Sequence, residues 1–182
     1  MESFYNRGNI NLNSKEKLIQ DNYKKVNQIS AKCMRVIVAI LALAFLYCYF
    51  GTDMDDSVLI VFFASAIFIA LIPTLIINIL KFDHAPVTKH IVIICVCLIA
   101  TLMLTLLSTY AYPIMLFPIL LASLYYNQTL VLFASLLMSC GIVVSNYFSY
   151  RFSNVFIGFP CETFEEAMMS YVVPQIVVVF GL

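Results

Sequence analysis

Two histidines, six cysteines and ten carboxylates are the side chains of this 182-residue chain best suited to holding a metal or carrying catalysis, and their spacing suits neither. His84 and His90 sit at the ends of one short polar segment with Asp83 beside the first. Without further ligands such a pair is solvated surface, and no metal is expected. Cys33, Cys48, Cys95, Cys97 and Cys140 lie in or beside apolar runs, where cysteine behaves as a small hydrophobe. Cys95 and Cys97 are two apart, which turns them to nearly opposite sides of a helix, and only Cys161 falls in a polar loop. The chain has no phosphate-binding Gly-rich loop, no His-Glu-x-x-His and no Gly-x-Ser-x-Gly. No catalytic residue and no cofactor are expected within it.

Polar residues that stand inside apolar sequence remain as candidates. Pro73, Pro113, Pro118 and Pro174 interrupt apolar runs. A proline inside a membrane helix frees a carbonyl, which a neighbouring helix or a ligand then satisfies. Ser135 with Ser139, and Gly141 with Ser145, form two pairs of small residues four apart, a spacing that lets membrane helices approach closely. Asn146 either hydrogen-bonds a ligand or caps a helix end. Tyr112, Pro113, Pro118 and Asn146 are therefore the candidate sensing residues. Asp53, Asp55, Asp56, Glu162, Glu165 and Glu166 could attract cations, but they read better as solvated loop charge.

These candidates need elements to hold them, and composition says which. The chain is 63% hydrophobic and 11% charged, with mean hydropathy +0.97, which places it among integral membrane proteins. Between His90 and Arg151 lie 60 residues without an acid, a base or a histidine, where one spanning helix needs about 20. The apolar runs are Cys33 to Phe50, Ser57 to Leu80, Ile91 to Thr109, Tyr112 to Tyr126, Thr129 to Tyr150, and Met168 to Leu182. They are continuously apolar and do not alternate, so helices are expected in place of a barrel. The expected fold is an all-α, polytopic membrane domain of six transmembrane helices arranged as three hairpins. The fourth run, about 15 residues, is short for a bilayer.

Charge orients the helices. Arg7, Lys15, Lys17, Lys24, Lys25, Lys32 and Arg35 precede or open the first run, Lys81 and Lys89 share a loop, and Arg151 stands alone on the other side. Basic residues near a span stay in the cytoplasm, so both termini are expected there. Tyr47, Tyr49, Tyr110, Tyr112, Tyr147, Tyr150 and Tyr171 then gather at outer ends, where a tyrosine ring prefers the headgroup region. The leading 32 residues read as a basic juxtamembrane helix and not a cleavable signal peptide. Asn13 and Glu16 are spaced as a cap, and the helix is expected to run into the first span. With net charge +0 the chain has no bulk field for nucleic acid.

The stretch AYPIMLFPILLASLYYNQTLVLFASLLMSCGIVVSNYF, Ala111 to Phe148, resembles the paired helices of the N-terminal membrane-sensing region of bacterial signalling proteins, particularly diguanylate cyclases that carry a C-terminal GGDEF domain. The likeness rests on the spacing of Pro113 and Pro118, on Leu124 to Asn127, and on Ser145 with Asn146. It implies a sensory input module in a bacterial inner membrane. It also implies a homodimer, because two output domains must meet, and a small-molecule ligand or other stimulus of unknown identity. The last run stops at Leu182 without a basic boundary, and the chain is expected to continue into a cytoplasmic output domain in its parent protein. The alternative from another class is a six-helix substrate-binding subunit of a vitamin or metal importer.

Overall fold

The computed structural model describes the backbone of residues 2–51, 55–82, 86–107, 113–151 and 164–181, with side chains described in those ranges except at 2–16, 86, 107, 164 and 167. All regular structure among these residues is helical. Four helices are long and apolar enough to cross a membrane, which makes this a membrane-embedded, multi-pass protein.

The first helix, α1 (Glu2–Gly51), joins the polar arm and the first apolar run without a break. At 1.5 Å per residue it is about 75 Å long, far more than the roughly 30 Å of a hydrocarbon core. Asn13 therefore does not cap. The helix passes through it from Glu2, and amide groups that would need a cap at a terminus are bonded within the helix.

A cap does open α2 (Asp56–Asn78), where the Asp55 carboxylate accepts from the Ser57 amide at 2.8 Å. That contact gives Asp55 a structural task in place of cation binding. Helix α3 (Pro86–Leu107) begins earlier than Ile91, because Pro86 stands at its first position, where a missing N–H is harmless. Lys89 and His90 thus belong to the first turns of α3 and not to a loop.

The fourth run holds no long helix. A 3₁₀ turn at 113–116 leads into α4 (Phe117–Ser123). Pro118 is the second residue of α4, so it starts that helix and does not kink it. Pro118→Ala is accordingly expected to change unfolding stability by less than about 1 kcal/mol, read from thermal melts in detergent.

Asn127 opens α5 (Gln128–Arg151), its side chain accepting from the Leu130 amide at 3.2 Å. The short α6 (Phe164–Ala167) precedes the sixth run, which is a π-helical turn over Met168–Val172 followed without a break by α7 (Val173–Gly181), with Pro174 in its first turn.

Helix α3 forms the centre, packed against α2, α5 and α4 and, more lightly, α1. Its Val92, Ile93, Val96, Cys97, Ala100 and Leu106 are buried. Helices α1 and α2 pack on each other and leave Val36, Ile40, Leu43, Phe68 and Leu75 exposed on their outer faces, as apolar residues facing lipid would be.

Helix direction follows from side-chain neighbours. His90 meets Phe133, Thr101 meets Gly141, and the Thr105 carbonyl accepts from Ser149, so α3 and α5 run parallel. Helix α7 runs against α5, with Gln175 at Asn146 and Val179 in the same groove as Ser135.

Candidate functional site

Two polar clusters lie inside this apolar bundle, one toward each end. The first surrounds Asn146 and joins α3, α5 and α7. Asn146 lies within α5 and is not a helix cap. It is buried and donates to the Ile142 carbonyl at 2.8 Å and to Gln175 Oε1 at 3.4 Å. Gln175 is itself buried and sits one turn after the π-helical segment. The wider turn reorients the residues after it, a device that recurs at functional sites.

The Asn146–Gln175 contact fastens the last helix to α5. Polar pairs between membrane helices contribute about 0.6 kcal/mol on average and about 2 kcal/mol at most. A double-mutant cycle with Asn146→Ala and Gln175→Ala is expected to return a coupling in that range, read from thermal unfolding in detergent. Additive single effects would show that the two side chains do not share a bond.

The small residues divide their tasks. Gly141 lies against Thr101, and an added Cβ would collide with the Thr101 hydroxyl, itself held to the Cys97 carbonyl at 2.8 Å. Ser145 bonds the Ile142 carbonyl at 3.0 Å. Gly141 thus marks a close approach of α5 to α3, while the bond of Ser145 stays within α5. In the other pair, Ser139 donates to the Ser135 carbonyl at 2.8 Å while Ser135 lines a groove beside α4. Pro113 is exposed, Pro118 is buried, and Tyr112 lies outside the described residues, as do Asp53, Asp83, His84, Cys161 and Glu162. Among the described residues no group of three or more metal-ligating side chains comes together.

The second cluster was not anticipated from spacing. It lies where the N-terminal arm of α1 meets the α4–α5 turn. The Tyr125 hydroxyl donates to Asn27 Oδ1 at 2.7 Å and stands 3.5 Å from the Ser30 hydroxyl, which donates to the Val26 carbonyl at 2.8 Å. Asn27 and Ser30 are fully buried and Tyr125 nearly so. Tyr23, one turn before Asn27, lies 6.2 Å from the Tyr125 ring, and Lys89 of α3 places its ammonium 4.4 Å over the Tyr23 ring and 3.3 Å from its hydroxyl. A cation over an aromatic face contributes about 0.5–2 kcal/mol, more as water is excluded.

Three parts of the chain far apart in sequence are therefore joined by hydrogen bonds in an apolar setting, where such bonds are strong and costly to leave unmade. The one sequence signal that could have shown this cluster is the helical repeat Tyr23, Asn27, Ser30, a polar stripe on a helix whose apolar partner face would be expected to be plain. The next residue, Tyr126, has φ 49°, a left-handed conformation that favours glycine. Its side chain is turned outward to the groove as Tyr125 is turned inward to α1.

Comparison with protein-family descriptions, with curated proteins and with solved structures brings no match to this chain.

Proposed function

We propose that this chain is a membrane-embedded sensory input module that passes a stimulus from the membrane or the outer face to a cytoplasmic signalling domain. The observation that carries the reading is the junction between Tyr125 and Asn27. It ties the α4–α5 turn to a helix that continues unbroken from the first span into a polar arm. A rigid helix anchored at that point moves its arm whenever the turn moves, which a subunit that only holds a substrate would not need.

The chain crosses a bacterial inner membrane six times with both termini inside. In this reading the chain between the parallel α3 and α5 makes the fourth pass, and α7, antiparallel to α5, ends the sixth. The basic arm, Lys81 and Lys89 mark the inner side and Arg151 the outer. Signalling is a population shift: a stimulus favours one arrangement of α4, α5 and α7, and the arm and α7 carry that choice inward. Pro118, at the head of α4, and Asn146, which holds α7, are the sensing elements that the arrangement turns on. The output domain suggested by the resemblance is a diguanylate cyclase, acting as a homodimer.

Topology is tested by replacing the exposed Gln28 and Arg151 singly with cysteine in a background without native cysteines. Gln28→Cys is expected to react with a membrane-impermeant maleimide only when the cytoplasmic face is open, and Arg151→Cys only from outside. The function is tested by reading the coding sequence beyond codon 182 and assaying cyclic dinucleotide output of the full protein with and without Tyr125→Phe. A stop codon directly after Leu182 would return the importer-subunit reading, and an output indifferent to Tyr125→Phe would remove the junction from the mechanism.

A further inference from the structure

The groove that Tyr126 faces is about 490 Å³ in volume and opens sideways between α4, α5 and the end of α7. Its two ends differ in chemistry. Ser123, Asn127 and Gln128 form the end beside the α4–α5 turn, level with the arm of α1, while Ile119, Leu132 and Val179 form walls that lead into the apolar depth of the bundle. Among the described residues lining it there is no acid, lysine, arginine or histidine.

Ser135 gives the groove a second polar point. The residue is 6% exposed and lines the groove; its carbonyl accepts from Ser139, but its own hydroxyl bonds to nothing among the described residues. A hydroxyl on the groove lining with no partner among those residues is a donor free for a bound molecule's acceptor. Ser135 stands seven residues beyond Gln128, about 10 Å deeper along α5. The Asn127 side-chain oxygen already accepts from Leu130, which leaves its amide as a donor at the rim.

We propose that this groove binds a neutral glycerol ester of a fatty acid, a monoacylglycerol-like amphiphile taken from the bilayer. Its hydroxyl head bonds Ser123, Asn127 and Gln128, its glycerol carbons pass Ile119 and Leu132, its ester carbonyl accepts from the Ser135 hydroxyl, and its acyl chain leaves past Ser135 by the open side of the groove. A glycerol ester with a hydrogen bond at each end bridges the distance from rim to Ser135. The absence of charged lining selects against phosphate-bearing heads, whose desolvation no residue in the groove would offset. The volume falls within the roughly 300–1,000 Å³ of small-ligand sites. Binding itself stands apart from the input-module reading and rests on that reading only for its consequence: an occupied groove sets Tyr126, and through the shared turn Tyr125 and the arm.

The experiment uses the full chain in phosphatidylcholine nanodiscs with a monoacylglycerol whose tail carries a diazirine, crosslinks being mapped by mass spectrometry. Monoolein, its ether analogue and oleoyl lysophosphatidylglycerol serve as competitors. Labelling is expected within residues 119–135 and at 179–180, with monoolein competing about three- to tenfold better than the ether, as one neutral hydrogen bond requires. Ser135→Ala is expected to erase that difference, and Leu132→Trp to abolish labelling in the groove.

Equal labelling of the outer faces of α1 and α2 would mean boundary lipid and overturn the proposal, as would stronger competition by the anionic lysolipid or an ester preference that survives Ser135→Ala. Labelling confined to the groove without movement of the α1 arm, followed by spin labels on Lys25→Cys and the exposed Thr129→Cys, which lies outside the groove lining, would keep the site and sink the input-module reading.

Discussion

Tyr125→Phe is expected to release the N-terminal arm of α1 while leaving the helices assembled. The substitution keeps the ring and removes one oxygen, so it deletes the 2.7 Å bond to Asn27 and the 3.5 Å contact with Ser30 and little else. Both partners are fully buried, and an unmade hydrogen bond at such a place costs about 1–3 kcal/mol. Tyr125→Ala also removes the ring that fills the space beside Tyr23, and a truncation of that size in a core costs about 3–5 kcal/mol. Thermal unfolding in detergent reads the stability, and spin labels on Lys25→Cys and Gln128→Cys read the arm. The phenylalanine variant should broaden the distance distribution in proportion to its loss of stability. A variant that melts lower with an unchanged distribution would show that the junction stabilises the bundle without governing the arm.

Gly141→Val should be as damaging at the centre of the bundle. No side chain fits where the Thr101 hydroxyl meets the α5 backbone, and that hydroxyl is held by its own bond to the Cys97 carbonyl. Turning Thr101 away would break that bond. Overpacking of this kind costs about 1–3 kcal/mol, and here it pushes apart α3 and α5, the two helices at the core. Thr101→Ala alone is expected to cost little. Combined with Gly141→Ala it should restore most of the stability that Gly141→Ala loses by itself, since the alanine methyl then occupies the vacated space. Failure of that rescue would place the cost of losing Gly141 somewhere other than the contact with Thr101.

Much of this arrangement is legible before any coordinates. The long uncharged run from Ile91 to Tyr150 cannot be exposed to water, and the apolar runs give the positions of α2, α3 and α5 within a few residues. Gly141 is readable as a point of close approach because only small side chains admit a neighbouring helix. The fourth and sixth runs hold shorter helices than hydropathy suggests, for hydropathy counts apolar residues and does not register local changes of helix type. Pro113 opens a 3₁₀ turn and Pro118 stands in the first turn of α4, which ends at Ser123 before the turn to α5. Asn13 misled for the opposite reason, a cap signal within a helix that simply continues.

The sequence by itself determined that the chain lives in a membrane, that it does so as helices, and that its basic arm is continuous with the first of them. Those conclusions depend on solvation and local hydrogen bonding, which each segment settles alone. Only the tertiary structure decided that α3 and α5 run parallel, that Asn146 meets Gln175, and that Tyr125 bonds Asn27 across 98 positions of chain. A polar side chain in an apolar helix declares that it needs a partner. Which partner it finds depends on how the helices pack, because every apolar face is an equally good neighbour until shape and hydrogen bonding choose among them.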